Sequence, residues 1–462
     1  MTQKAMNRYI KNGIEQFVHK GMEPWHMPGH KRRRQSKAAV SSLYDAIDAA
    51  CEWDVTELPM TDDYLRPEGF FEDALEELKN VYGSRASFYL VNGSTSGLHI
   101  AIAACAKRVR KSASERGTGI LLAAVNCHRS VFNAARLLGL EVVSVDVRKL
   151  EGGMLFGGAD AGKIADALME LDDLGRVCAA VITSPTYEGV CSDIRSIKNL
   201  LDGYGIPLIV DEAHGAHMVF SEELKALSGL SSGADIVVQS LHKTLPSPTQ
   251  TAIMHVMSDR LVDMVREYVE VFLSSSPSFI LLAAMERAVA DADEHRRRFD
   301  EWVRRVRVFK ERVNAGIKDI RVFVPEAGVI YDDTRIVLMP ESGSGLYLAD
   351  CMVKAGVAIE MAEPGYVVLI STVADTEEDF ERLYDMLKEA LRISCSGEDT
   401  EPWYGGHTPD ADIEALKGSS AMNDIYAYPP GNPIALKGEV IDDGVVDKIK
   451  EYMNAGKKIY GI

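Results

Sequence analysis

Between residues 85 and 260 the chain repeats one unit: a short apolar, β-branched run followed by a stretch with helical spacing. The strand candidates are residues 88–91, 120–125, 142–147, 177–183, 208–210, 236–238 and 252–256. Helical patterns lie between them, at residues 98–110, 131–138, 164–171 and 194–203. Such alternation needs parallel strands joined by crossover helices, so the expected fold is α/β with a mostly parallel seven-stranded sheet. No repeat of 20 to 50 residues competes with that reading.

The rest of the chain departs from the pattern. Residues 1–60 read as an N-terminal arm with one helix over 7–20, and residues 61–284 as the large domain. Residues 285–394 read as a smaller α+β domain that begins with one long charged helix over 285–317. A helix over 377–391 opens on Thr376-Glu377-Glu378-Asp379, acidic residues that suit a helix N-terminus. Residues 394–401 read as a polar linker, and 395–462 as a C-terminal segment carrying Tyr428-Pro429-Pro430-Gly431, which must be extended or turned.

Composition limits the partners. A chain of 462 residues with a net charge of −18 is a poor match for nucleic acid or an anionic membrane surface. Lys31-Arg32-Arg33-Arg34 is the one basic run, and in an acidic chain it reads as a solvated turn. The seven cysteines are scattered and none forms C-x-x-C, so neither a disulfide framework nor a zinc site is expected. No signal-like or membrane-spanning apolar run is present, and the expected location is the cytoplasm.

In an open α/β sheet, ligands gather beyond the carboxyl ends of the strands. The first strand is followed by Asn92-Gly93-Ser94-Thr95-Ser96-Gly97, small and hydroxyl residues ahead of a helix that can hold a phosphate. It is not G-x-G-x-x-G, and an ordinary helix cap is the bland alternative. Later strand ends carry His128, then Ser184-Pro185-Thr186-Tyr187-Glu188-Gly189, then Asp211, Ala213 and His214, then Ser240, His242 and Lys243. Singly, each of these is more often structural than functional.

Together they describe a chemistry. Desolvation lowers a lysine's pKa and frees its amine for Schiff-base formation, which makes Lys243 the candidate nucleophile. A strand-end aspartate such as Asp211 would keep a pyridine nitrogen protonated. Ala213 would offer a methyl face to the ring, His128 could stack on it, and Ser240 and His242 could bond its phosphate. That set is what pyridoxal phosphate requires. Metal ligation fits less well, since His214 and His217 are spaced i, i+3 in a glycine-containing loop and no cluster has metal spacing.

At these residues the chain resembles the Orn/Lys/Arg decarboxylase family, pyridoxal-phosphate enzymes with the aspartate aminotransferase-like fold. The matching segments are Pro28-Gly29-His30-Lys31, Asp54-Val55-Thr56-Glu57, Thr61-Asp62-Asp63, Pro67-Glu68-Gly69 and Asn126-Cys127-His128-Arg129-Ser130. They continue with Pro185-Thr186-Tyr187-Glu188-Gly189, Asp211-Glu212-Ala213-His214-Gly215-Ala216-His217, Ser240-Leu241-His242-Lys243, Ser274-Ser275-Ser276-Pro277-Ser278 and Tyr428-Pro429-Pro430-Gly431. The length is similar to the short form of the family, without an N-terminal wing domain.

The resemblance implies Lys243 as the Schiff-base lysine, Asp211 on the pyridinium nitrogen and His128 stacked on the ring. It implies phosphate contacts from Ser94, Thr95, Ser96, Ser240 and His242. It also implies a homodimer in which Ser275 reaches the neighbour's phosphate. Ser275 stands where threonine is common, Asn423 where glutamate is usual, and Asn432 where an aliphatic is usual. These departures leave the substrate open.

The function expected is decarboxylation of arginine, lysine or ornithine, with His214 a candidate for guiding the proton. Polyamine synthesis is a family-level expectation. Glu57, Asp62, Asp63 and Glu439 are candidates for the substrate's distal cation. Another reaction on the same cofactor is the first alternative: Arg335, in the small domain, could grip an α-carboxylate as aminotransferases do. A cofactor-binding protein without turnover is the second.

Overall fold

The structure, a computed structural model, describes residues 6–20, 43–113, 117–395, 413–428, 433–454 and 458–462. The sequence segments 28–31, 31–34, 396–401 and 429–432 lie outside those residues. Nine strands form the first part of the chain: β1 (Ala86–Leu90), β2 (Ile120–Ala124), β3 (Glu141–Val145), β4 (Val147–Leu150), β5 (Leu155–Ala159), β6 (Val177–Thr183), β7 (Leu208–Asp211), β8 (Ile236–Ser240) and β9 (Ala252–Val256). Seven make one sheet, in the order β1-β9-β8-β7-β6-β2-β3.

All contacts among β3, β2, β6, β7 and β8 are parallel. β9 is antiparallel to both its neighbours, β8 and β1, so six strands share one direction and β9 alone is reversed. The expected alternation therefore holds, with one exception at β9. Its position follows from the connection: only residues 245–251 separate it from the short helix after β8, too few for a crossover helix. β1, β2, β8 and β9 are buried throughout, which explains their continuous apolar runs, since helices cover both sheet faces. Full burial of side chains such as Leu121 and Leu122 stabilises the fold by about 1.5–3 kcal/mol each.

Three local expectations change. The run over 142–147 is two strands, because the chain leaves the sheet at Asp146 and enters the β4–β5 hairpin. The loop after β1 is already helical from Gly93, which puts Ser94, Thr95 and Ser96 in a first turn whose N–H groups are free. A side chain at Gly97 would meet Leu90 Cδ1 at 2.6 Å and Val238 Cγ1 at 2.8 Å, so only glycine lets this helix start so close to β1 and β8. The single helix over 285–317 is two, Phe279–Glu294 and Arg297–Gly316. The break is held by Arg296, whose guanidinium bonds the Val219 carbonyl (2.7 Å) and Asp293 (2.7 Å).

Beyond it lie β10 (Ile320–Val322), β11 (Arg335–Pro340), β12 (Met361–Glu363) and β13 (Tyr366–Ile370), an antiparallel sheet in the order β10-β11-β13-β12. Helices Gly345–Lys354 and Glu377–Cys395 accompany it. A last three-stranded sheet, β14 (Ile425–Tyr428), β15 (Pro433–Ala435) and β16 (Lys458–Tyr460), packs with helix Asp443–Asn454 around its own apolar cluster. Among the described residues no helix is long and apolar enough to cross a membrane.

Candidate active site

The parallel strands end at one edge of the large sheet, in register: Thr183 lies beside Asp211, and Asp211 beside Val238. One cavity opens there. Lys243, Asp211, Ala213, His214, His128 and Ser94 all line it, together with Asn126, Thr183, Tyr187 and Phe156. Lys243 sits in the single helical turn Leu241–Thr244 immediately beyond β8. Its Nζ is 3.0 Å from His214 Nε2 and 5.5 Å from the centre of the Tyr187 ring. Burial pushes its pKa down; Asp211 opposes that and Arg335 adds to it.

Asp211 is the last residue of β7, 3 % exposed, and its Oδ1 accepts the Ala213 N–H at 3.2 Å. Burial raises its carboxyl above the ordinary range, while Lys243 holds it down. His128 caps the helix Arg129–Leu138: its Nδ1 accepts the Ser130 N–H at 3.2 Å and lies 2.8 Å from the Ser130 hydroxyl. Burial, then Lys243, pushes His128 down to about 4, so it is neutral at physiological pH. His214 is lowered as well, first by burial and then by Lys243 and Arg335. Two neutral imidazoles therefore flank an amine that burial has made easier to deprotonate.

The other expected contacts are less direct. The buried Ser240 hydroxyl donates to Ser94 Oγ at 2.9 Å. Ser96 donates to the Gly93 carbonyl at 2.8 Å, and Thr95 is not among the cavity's lining residues. His242 Nδ1 lies 3.0 Å from the Thr251 carbonyl, which only accepts, so Nε2 can donate only from the imidazolium. Ser275 is exposed and does not line this chain's cavity.

Four candidates for the distal cation lie elsewhere. Asp62 accepts backbone N–H groups from Asp63, Glu68, Gly69 and Phe71 at 2.8–3.1 Å, so it holds the turn before the helix Phe70–Tyr82. Asp63 accepts the Leu65 N–H, Glu439 the Leu436 N–H, and Glu57 the Thr56 hydroxyl. None of the four lines the cavity or the cleft beside it.

Arg335 lies behind the His214 loop. It is fully buried, donates from Nη2 to the His214 carbonyl at 2.5 Å, and its Nε lies 3.9 Å from Asp332 Oδ2. Asp332 in turn meets His217 Nε2 at 3.2 Å and the Thr334 hydroxyl at 2.7 Å. Gly189, at φ +101°, leaves room for this arginine, because a Cβ there would stand 2.6 Å from its Cγ. Only Nη2 is engaged, on the His214 carbonyl; Nε and Nη1 have no hydrogen-bond partner among the described residues, and Arg335 does not line the cavity around Lys243. Its role is to tie the 214–217 loop to the small domain. Arg335→Leu leaves the His214 carbonyl without its buried donor and removes one of the charges that hold Asp332 ionised, and is expected to destabilise the protein by about 1–3 kcal/mol. Chemical denaturation checks this; an unchanged midpoint and slope would show the tie to be dispensable.

The cavity fits pyridoxal phosphate. Asn126 Oδ1, Thr183 Oγ1 and His214 Nδ1 are buried and have no partner, and all three residues line it, so a polar aromatic ring can satisfy them. A helix N-terminus carrying Ser94 suits the phosphate. The fold and this site define a pyridoxal-phosphate-dependent enzyme of the aspartate aminotransferase-like class. Within that class the "Orn/Lys/Arg decarboxylase, major domain" family matches residues 10–344, and the chain belongs to this family of decarboxylases.

An uncharacterized protein of Bacillus subtilis, YaaO, is 28% identical over 99% of this chain and 96% of its own length. The arginine decarboxylase of the same organism is 25% identical, covering 98% of this chain and 95% of its own. In structure the chain is similar to the Francisella novicida lysine decarboxylase, with a TM-score of 0.81 and 16% identity over 99% of this chain and 79% of that one.

Proposed function

We propose that the protein decarboxylates a basic L-amino acid, arginine, lysine or ornithine, to the amine and CO2. The observation that carries this is the convergence of Lys243, Asp211, His128 and His214 on one cavity of a chain in this family. Lys243 would be the residue that holds the cofactor, and its amine would give way to the substrate's. Asp211 would keep the pyridine nitrogen protonated, His128 and the Ala213 methyl would face the ring, and Ser94, Thr95, Ser96, Ser240 and His242 would hold the phosphate. Bound there, pyridoxal phosphate supplies the sink for the electron pair left when the Cα–carboxylate bond breaks.

His214, 3.0 Å from the Lys243 nitrogen and neutral, can accept the proton that Lys243 must lose and return one afterwards. A homodimer is part of this reading, with Ser275 directed to the partner's phosphate. Helix Leu43–Cys51 supports it: it buries none of its residues and exposes Leu43, Tyr44 and Ile47, an apolar face that a second copy would cover. Among the described residues six cysteines are free thiols, as a reducing cytoplasm would keep them.

The test is to incubate the purified protein with pyridoxal phosphate and a panel of amino acids, and to measure CO2 and amine. Release from at least one of arginine, lysine and ornithine is expected. No CO2 from any of them, with keto acid produced instead, would replace this reading by transamination.

A further inference from the structure

Phe156 and Glu188 line the Lys243 cavity and also a second, larger cleft of about 870 Å³ beside it. The cleft lies between the β4–β5 hairpin, the small antiparallel sheet and the C-terminal sheet. A substrate held at Lys243 can extend its side chain into this space. Several cations around the cleft already have contacts, and Lys149 feels both Asp146 and Glu188. Arg321 bonds Glu151 at 2.5 Å, Lys448 lies 3.3 Å from Glu451, and the Lys149 ammonium sits 3.3 Å above the Phe156 ring.

Glu188 is different. It is 4 % exposed, and its Oε1 accepts the Tyr366 hydroxyl at 2.6 Å. That is the one hydrogen bond its carboxylate receives from the described residues. Its Oε2 takes no hydrogen bond among the described residues, and the residue faces both spaces, so a cation entering the cleft can reach it. Burial, with Glu188 and Glu363 beside it, keeps the Tyr366 hydroxyl protonated well above the usual range, so it stays a donor. The Tyr366 bond fixes the carboxylate's rotamer and leaves Oε2 for a second partner, a preorganised acceptor for an ammonium or one edge of a guanidinium.

We infer that Glu188, held by Tyr366, binds the distal cation of the substrate. This rests on the decarboxylase reading above, and names the residue that would select basic over neutral side chains. Glu188 belongs to a turn after β6 and Tyr366 to β13, so neither large nor small domain makes the site alone.

The test avoids turnover. Calorimetric titration of the cofactor-loaded protein compares n-butylguanidinium and n-butylammonium with the neutral n-butylurea. The parent is expected to prefer at least one cation over the urea, and Glu188→Gln to reduce that preference by about tenfold or more. A Glu188→Gln variant that keeps the parent's preference overturns the inference, as does a parent with no preference. If Glu188→Gln does not fold, Tyr366→Phe decides: a preference reduced at least about threefold supports the inference, and an unchanged one overturns it. The two readings fail separately. Cation preference without CO2 release sinks only the decarboxylase reading, whereas CO2 release with preference intact in Glu188→Gln sinks only this one.

Discussion

Replacing Lys243 with alanine lowers turnover by roughly 10⁴-fold, at the top of the range for loss of a group that carries a proton as well as bonding. The visible absorbance of covalently held cofactor disappears with it, and borohydride no longer fixes the cofactor to the chain. The geometry makes the loss specific. Lys243 is the amine in the cavity, with His214 Nε2 at 3.0 Å and Asp211 as its nearby carboxylate. Its removal deletes the nucleophile and the group from which His214 would take a proton. Asp211 then loses the positive charge that holds its carboxyl down, and burial alone pushes it further up. Absorbance and borohydride trapping, measured on parent and variant at equal cofactor loading, check the result. A variant that keeps the trapped band moves the covalent role to another residue.

The large sheet was legible because β1, β2, β7, β8 and β9 are buried on both faces, so they read as largely apolar runs that stop where the polar site begins. Lys243, Asp211 and His128 follow directly from those stops. Local signals misled where a tertiary contact decided the outcome. The break after Glu294 depends on Arg296 reaching the Val219 carbonyl, 77 positions away, and nothing in the helical spacing reports that. The reversal of β9 follows from the short connection before it and not from its own composition.

The substrate side of the site was the least legible. Glu188 and Tyr366 are 178 positions apart and meet only when the small sheet packs against the large one. The Glu188 turn stood out as polar, but no local pattern near Tyr366 distinguishes it from other strand tyrosines. Arg335 is the same case: its bond to the His214 carbonyl joins residues 121 positions apart, which no local pattern reports. Asp62 likewise reads as an acidic binding group until four backbone N–H groups are found on it.

Asp211→Asn is expected to keep the cofactor and lose about 10²–10³-fold in turnover, the usual cost of removing one preorganised charge from a reacting centre. Asparagine has nearly the shape of aspartate, and its Oδ1 can still accept the Ala213 N–H that the carboxylate accepts now. The backbone is held by β6 on one side and β8 on the other, so the loop carrying Ala213 and His214 keeps its place. What changes is the charge that, on the proposed reading, would face the pyridine nitrogen and keep it protonated.

Stability separates this effect from simple damage. In the folded protein the Asp211 carboxyl is raised by burial, so its ionisation costs stability once pH exceeds the ordinary carboxylate range. A neutral asparagine removes that cost, while Lys243, without its counter-charge, becomes still easier to deprotonate. The cofactor-free Asp211→Asn variant should therefore melt no lower than the parent at neutral pH while the loaded variant turns over far more slowly. Turnover near the parent's would end the proposed role for Asp211, and a lowered melting temperature would assign the loss to folding.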